Sequence, residues 1–153
     1  MEEGITRTLG LDIGDSRIGV ALSDPLGILA TPLTIIKRDD DQTAVEEIVT
    51  VIRENDVGLV IAGLPLNMNG SEGPQAGKTR SFVTELRNSL KVPIEYRDER
   101  LSTVSARELL QGVRKTDNDT RYDAMAAAVI LQGYLDREKR IELFDDRPDI
   151  ELD

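Results

Sequence analysis

Hydrophobic and polar positions alternate at the start of the chain. Leu9, Leu11 and Ile13 are interleaved with Thr8, Gly10 and Asp12, the period-two pattern of a strand with one apolar face. Gly14-Asp15-Ser16 is a turn signal, and Arg17 to Ser23 resumes the alternation with Ile18, Val20 and Leu22. A third apolar run, Ile28 to Ile36, contains Pro32 and suits an edge or bulged strand. Three strands with short connections predict an antiparallel meander.

The period then lengthens. Val45, Ile48, Val49 and Ile52 fall at helical spacing between Asp41 and Asn55. Val57 to Ala62 is almost continuously apolar, as in a central strand covered on both faces, and ends at Gly63. Leu64 to Pro74 reads as a loop. Phe82, Val83, Leu86 and Leu90 mark a second helix, and Val92 to Arg97 a fifth strand. Ser102 suits the N-cap of a helix carrying Val104, Leu109 and Leu110. After a polar loop from Arg114 to Asp119, a last helix runs from about Thr120 to Asp136. Its expected face is Met125, Val129 and Gln132, with Ala124 and Ala126 to Ala128 supplying small side chains. A meander followed by alternating helix and strand predicts an α/β three-layer domain, a mixed five-stranded sheet flanked by helices.

Composition narrows the chemistry. Among 153 residues there is no cysteine and no histidine. Thiol nucleophiles, zinc fingers, Ser-His-Asp triads and imidazole acid–base catalysis are thereby excluded. Carboxylates, lysine, arginine, hydroxyls or a bound metal remain. No apolar stretch approaches the roughly 18 residues of a membrane span, and Met1 to Ile5 has no signal-sequence character, so a cytoplasmic protein without a membrane partner is expected. The net charge of −10 is unevenly spread. Lys78 to Arg121 holds ten basic against seven acidic residues, whereas Glu142 to Asp153 holds six acids and one arginine. The expected division is a domain over residues 5–138 and a solvated acidic tail over 139–153.

Three carboxylates stand out. Asp12 points away from the apolar face of its strand; it could also simply cap the Gly14-Asp15 turn. Asp98 and Glu99 follow the fifth strand and should point to opposite sides, so one can join Asp12 while the other pairs with Arg97 or Arg100. Asp123 lies in the first turn of the last helix, where the helix dipole alone favours an acid by about 0.3–1 kcal/mol. Two carboxylates about 5 Å apart repel by roughly 3 kcal/mol at an effective dielectric near 20. A cluster of three therefore holds a proton unless a cation neutralises it. Mg²⁺ takes such hard oxygen ligands and keeps waters that phosphate oxygens can replace. A two-metal site can hydrolyse a phosphodiester without histidine or cysteine.

The motifs around these acids sharpen the reading. Leu11-Asp12-Ile13-Gly14-Asp15-Ser16-Arg17-Ile18-Gly19-Val20-Ala21 resembles the opening of the YqgF/RuvX family, which has a ribonuclease H-like fold. Gly63 to Ser71, Asp98 to Thr103, and Asp123 to Gln132 resemble its second, third and fourth motifs, in order, over residues 7–136. The resemblance implies a metal-dependent nuclease in the bacterial cytoplasm. Its substrate would be pre-16S ribosomal RNA at the 5′ end or, alternatively, a branched DNA junction. By this resemblance Asp12, Glu99 and Asp123 are the catalytic carboxylates and ligands of Mg²⁺ or Mn²⁺. Proximity and donor chemistry make Arg17, Asn67, Ser71, Arg100 and Thr103 candidate nucleic-acid contacts. Arg114 and Lys115 are what remains of a basic loop that Thr116-Asp117-Asn118-Asp119 makes acidic. Asn69 stands where the family often has aspartate.

Two rivals stay open at this stage. Asp12-Ile13-Gly14 also resembles the phosphate turn of actin-like ATPases, although those need two such domains. Gly73 to Thr79 is one residue short of a P-loop. A non-catalytic RNA- or protein-binding module fits the acidic balance and the 3% aromatic content.

Overall fold

The structure, a computed structural model, describes residues 6–100 and 120–145, with the side chains of 120–123 and 143–145 outside the description. Five strands form one mixed sheet. β1 (Arg7–Ile13), β2 (Arg17–Ser23) and β3 (Ala30–Lys37) make the expected antiparallel meander. β4 (Val57–Leu64) and β5 (Ile94–Asp98) add in parallel on the other side of β1, giving the order β3-β2-β1-β4-β5. The pairing of β2 with β3 shifts register between Val20 and Ala21, where Ala21 meets Pro32, so the proline sits at an irregularity of the edge strand.

Helices α1 (Asp41–Glu54) and α2 (Pro74–Arg87) cover one face. Asp40 caps α1 by accepting from the Thr43 backbone N–H (3.1 Å) and hydroxyl (2.8 Å). Pro74 at the start of α2 gives up an N–H that the first turn would leave unpaired. The core on this face joins Leu9, Leu11, Ile13, Val20, Ile48 and Phe82, all buried. Helix α3 (Thr120–Asp145) covers the opposite face with Ala127, Ala128, Ile130, Leu131 and Leu135, against Ala21 and Ile61.

Several boundaries differ from the sequence reading. β3 starts at Ala30 rather than Ile28, because the Asp24 carboxylate accepts the backbone N–H groups of Leu26, Ile28 and Leu29 (3.2, 2.7 and 2.7 Å) and holds 24–29 as a turn. β5 starts two residues later than expected, at Ile94, and ends one residue later, at Asp98. The inward face of α3 is Ala124, Ala127 and Leu131, not Met125, which is half-buried. Gln132 is half-buried and bridges to the sheet, donating to the Ile28 carbonyl and accepting from the Ala30 N–H (both 2.8 Å). The helix also runs past its expected end near Asp136, to Asp145. The expected helix beginning at Ser102 lies outside the described residues.

Candidate active site

Asp12 is the penultimate residue of β1, paired with Gly19 across the β1–β2 ladder. Because side chains alternate, it shares the α3 side of the sheet with Gly10 while Leu11 and Ile13 enter the other core. Glu99 follows β5 directly, its backbone N–H donating to the Leu64 carbonyl at the end of β4 (3.0 Å). The two acids therefore flank the carboxyl end of β4 from either side, at the edge where parallel α/β sheets collect ligands.

Gly63 sits between them. A Cβ there would lie 2.7 Å from Ile130 Cδ1 of α3 and 3.5 Å from Glu99 Oε1, so a side chain would intrude on both the helix and the carboxylate. Gly10 makes similar room further back on β1, where a Cβ would stand 2.8 Å from Leu131 Cβ and 3.0 Å from the Ala127 carbonyl oxygen. These gaps let α3 lie close to the sheet, with its first turn, and Asp123 in it, at the N-terminal end. The Asp123 side chain is outside the described residues.

Glu99 is pushed up to about 7, first by burial, then by the negative charges of Asp12 and Asp98. Asp98 goes to the other side and holds Arg100, as alternation requires. Its carboxylate accepts from Arg100 Nη2 (2.7 Å), from Nε (3.1 Å) and from the Arg100 backbone N–H (2.9 Å). That pairing lowers Asp98 and raises Arg100. Arg100 Nη1 also donates to the Met68 carbonyl (2.9 Å), tying the end of β5 to the 64–71 loop. Arg100 is thus a brace in this structure.

The loop is internally bonded. Asn67 exchanges backbone bonds with Ser71 and Gly70 (2.8 Å each), and its Nδ2 donates to Ser71 Oγ (3.0 Å). Asn69 Oδ1 accepts from the Ser71 N–H (3.0 Å) and hydroxyl (2.6 Å). Both bonds need only an oxygen acceptor, so asparagine serves as aspartate would. Gly70 has φ +90°, a left-handed conformation that favours glycine.

Arg17 begins β2 opposite Lys37 of β3, at the same end of the sheet as Asp12 and exposed. Thr103, Arg114 and Lys115 lie outside the described residues. Among the described residues no three metal-ligating side chains cluster; the charge of Asp12 acts on Glu99.

The structure gives roles to three positions that are not among the predicted site residues. Gly63 separates the acids. Arg38 donates to the Gly14 carbonyl (2.9 Å), pairs with Asp41 (2.9 Å) and stacks 5.0 Å from the Phe82 ring centroid, fixing the turn after Asp12. Arg97, on the Glu99 side of β5, is lowered by burial and by the charge of Arg137. Glycine at the end of an apolar strand was the available signal for the first; local pattern carries none for the other two.

Comparison with known proteins agrees with this geometry. Residues 6–137 match the family described as RuvX, Holliday junction resolvase. A protein of Dehalococcoides mccartyi named "Putative pre-16S rRNA nuclease" is 50% identical over 124 residues, covering 81% of this chain and 93% of its own length. A Roseiflexus protein of the same name is 44% identical over 135 residues, covering 87% and 96%. Among solved structures, Thermus thermophilus RuvC in complex with a Holliday junction substrate superposes with TM-score 0.55 at 15% identity, over 88% of this chain and 96% of that one. The fowlpox virus Holliday junction resolvase gives 0.53 at 15% identity, over 87% and 99%. The sheet order, the flanking helices and these matches agree, and the chain belongs to the RuvX family of nucleases, with the ribonuclease H-like fold.

Proposed function

We propose that this nuclease depends on a divalent metal, Mg²⁺ or Mn²⁺, and acts on the 5′ end of pre-16S ribosomal RNA in the bacterial cytoplasm. Asp12, Glu99 and Asp123 are its catalytic and metal-binding carboxylates. The observation that carries the reading is Glu99, a half-buried carboxyl raised to about 7 beside Asp12. A buried acid facing a second acid is costly as a structural device, and a cation removes that cost.

The residues present fit a hard divalent ion. The donors are carboxylate oxygens, and the absence of histidine and cysteine leaves no soft ligand to select zinc or copper. Gly63 leaves the space beside Glu99 Oε1 free of a Cβ. When bound, the ions would supply charge neutralisation at the phosphodiester and a nucleophile at neutral pH. The protein would do the rest by placement. Asp12 and Glu99 are held by β1 and by the bond from the Glu99 N–H to Leu64, and Asp123 would join them from the first turn of α3. Arg17 and the Asn67–Ser71 loop offer donors to the substrate backbone, and Arg100 holds that loop in place. Thr103, Arg114 and Lys115 are proposed as further phosphate contacts. Residues 5–138 form the nuclease domain in this reading, with 139–153 an acidic extension.

The choice of RNA rests on the names of the relatives, and the family description supports a junction substrate as the second reading. One assay separates them. Wild type and Asp12→Asn are incubated with Mn²⁺ and a pre-16S fragment, generic single-stranded RNA, or a four-way DNA junction. Cleavage of the precursor by wild type alone is expected. Preferential cutting of the junction would transfer the substrate to DNA, and equal RNA binding without cleavage by either protein would reduce the chain to a binding module.

A further inference from the structure

Arg97 belongs to none of the pairings that build the site. Its side chain lies on the α3 side of the sheet, as the Glu99 carboxylate does beside Gly63, and Glu99 follows two residues on, just past the end of β5. Its guanidinium lies against α3 at Gly133, where a Cβ would come within 2.7 Å of Nη2 and 3.0 Å of Nε. Nε is buried and has no hydrogen-bond acceptor among the described residues. The neighbouring acid, Asp98, is already committed to Arg100. From α3, Arg137, one turn beyond Gly133, acts on Arg97 as a like charge and Asp136 acts in the opposite sense.

This is an unusual arrangement for packing alone. Buried guanidinium groups ordinarily find a carboxylate or carbonyl fork. Here a glycine stands inside a helix, at a cost of about 1 kcal/mol relative to alanine, and seats a cation that has no ion pair within 4 Å among the described residues. Arg137 adds a second positive charge from α3, and two like charges together favour an anion between or beside them, with Asp136 opposing on the same helix. The position is two residues from Glu99 along the chain, on the α3 side of the sheet.

We propose that Arg97 and Arg137 form a phosphate subsite between β5 and α3. It holds a backbone phosphodiester of the strand that runs away from Asp12 and Glu99. The subsite rests on the nuclease reading and adds a positioning role to it. Contacts to phosphate carry no sequence information, so the subsite sets the register of the strand in the site.

The test compares wild type, Arg97→Gln, Arg97→Lys and Gly133→Ala in Mn²⁺-dependent cleavage of a short single-stranded RNA. In Gly133→Ala the new methyl displaces only the flexible end of Arg97, and the helix gains propensity. Melting temperature should therefore hold or rise while substrate binding weakens. KM is expected to rise roughly three- to tenfold in Arg97→Gln and Gly133→Ala with kcat held within about twofold. The slope of log affinity against log salt should fall by about 0.7 in Arg97→Gln, as for one lost phosphate contact on a single strand, with Arg97→Lys retaining most of it. A role in packing alone would move the melting temperature of Arg97→Gln and leave both KM and the salt slope unchanged. That result, with wild type still cleaving, overturns the subsite and leaves the nuclease standing. Wild type that neither cleaves nor binds RNA overturns both.

Discussion

The sheet face under α1 and α2 is filled by large side chains such as Leu9, Leu11, Ile48 and Phe82, whereas the face under α3 sets Gly10, Ala21 and Gly63 around a single large buried residue of β4, Ile61. The first face buries apolar area at about 25 cal/mol per Å² and supplies stability. The second gives up side chains so that a helix can approach the backbone closely. The reward is positional: α3 starts near the carboxyl ends of β1 and β4, where Asp12 and Glu99 stand. One sheet thus separates the two tasks by side-chain parity, with Leu11 and Ile13 on one side and Gly10 and Asp12 on the other.

Substitutions on the two faces should therefore fail in different ways. Phe82→Ala, on the fully buried α2 face, should cost about 3–5 kcal/mol of unfolding free energy in urea titrations. The fraction that stays folded should keep its Mn²⁺ affinity. Gly10→Ala should cost less, about 1–3 kcal/mol, because its methyl meets the Ala127 carbonyl as well as Leu131. It should nevertheless weaken Mn²⁺ binding by moving α3 off the sheet. A Gly10→Ala protein with lowered stability and unchanged metal affinity would break the division drawn between the faces.

Glu99→Gln sharpens the comparison with a smaller effect of opposite sign. Glu99 in the folded, metal-free protein titrates near 7, above its ordinary value of 4.5. Between about 4.5 and 7 the folded state binds more protons than the unfolded chain, so stability falls as pH rises through that window. Above 7 the full cost of the charged, buried carboxylate is present. The glutamine variant escapes it. In EDTA its melting temperature should exceed that of wild type by a few degrees near pH 8, with the gap closing near pH 5. Lower stability of Glu99→Gln near pH 8 would contradict the assigned strain.

The strand alternation made much of this visible in advance. Leu9, Leu11 and Ile13 fixed which way Asp12 points, and the adjacency of Asp98 and Glu99 required that only one join it. The structure resolves that choice: Arg100 takes Asp98, and Glu99 turns to the side of Asp12. Other features depended on partners distant in the chain. Ile28 and Leu29 look like strand residues until the Asp24 carboxylate binds their N–H groups. The run from Ala124 to Leu131 is so uniformly apolar or small that helical periodicity has no phase there. Only the facing Gly10 and Gly63 show that Ala127, Ile130 and Leu131 point inward. The polar stretch after Asp136 gives no apolar repeat, so the continuation of α3 to Asp145 was not legible.

The central claim is that Asp12 and Glu99 form one cation site. It is tested most directly by calorimetric titration of Mn²⁺ into wild type and Asp12→Asn at about pH 6 and about pH 8. Wild type should bind more tightly at the higher pH and release a proton on binding at the lower one, as Glu99 exchanges its proton for the metal. Asp12→Asn, which removes charge without removing volume, should lose affinity by at least about tenfold. Equal Mn²⁺ affinity in the two proteins, with no dependence on pH, would contradict the account.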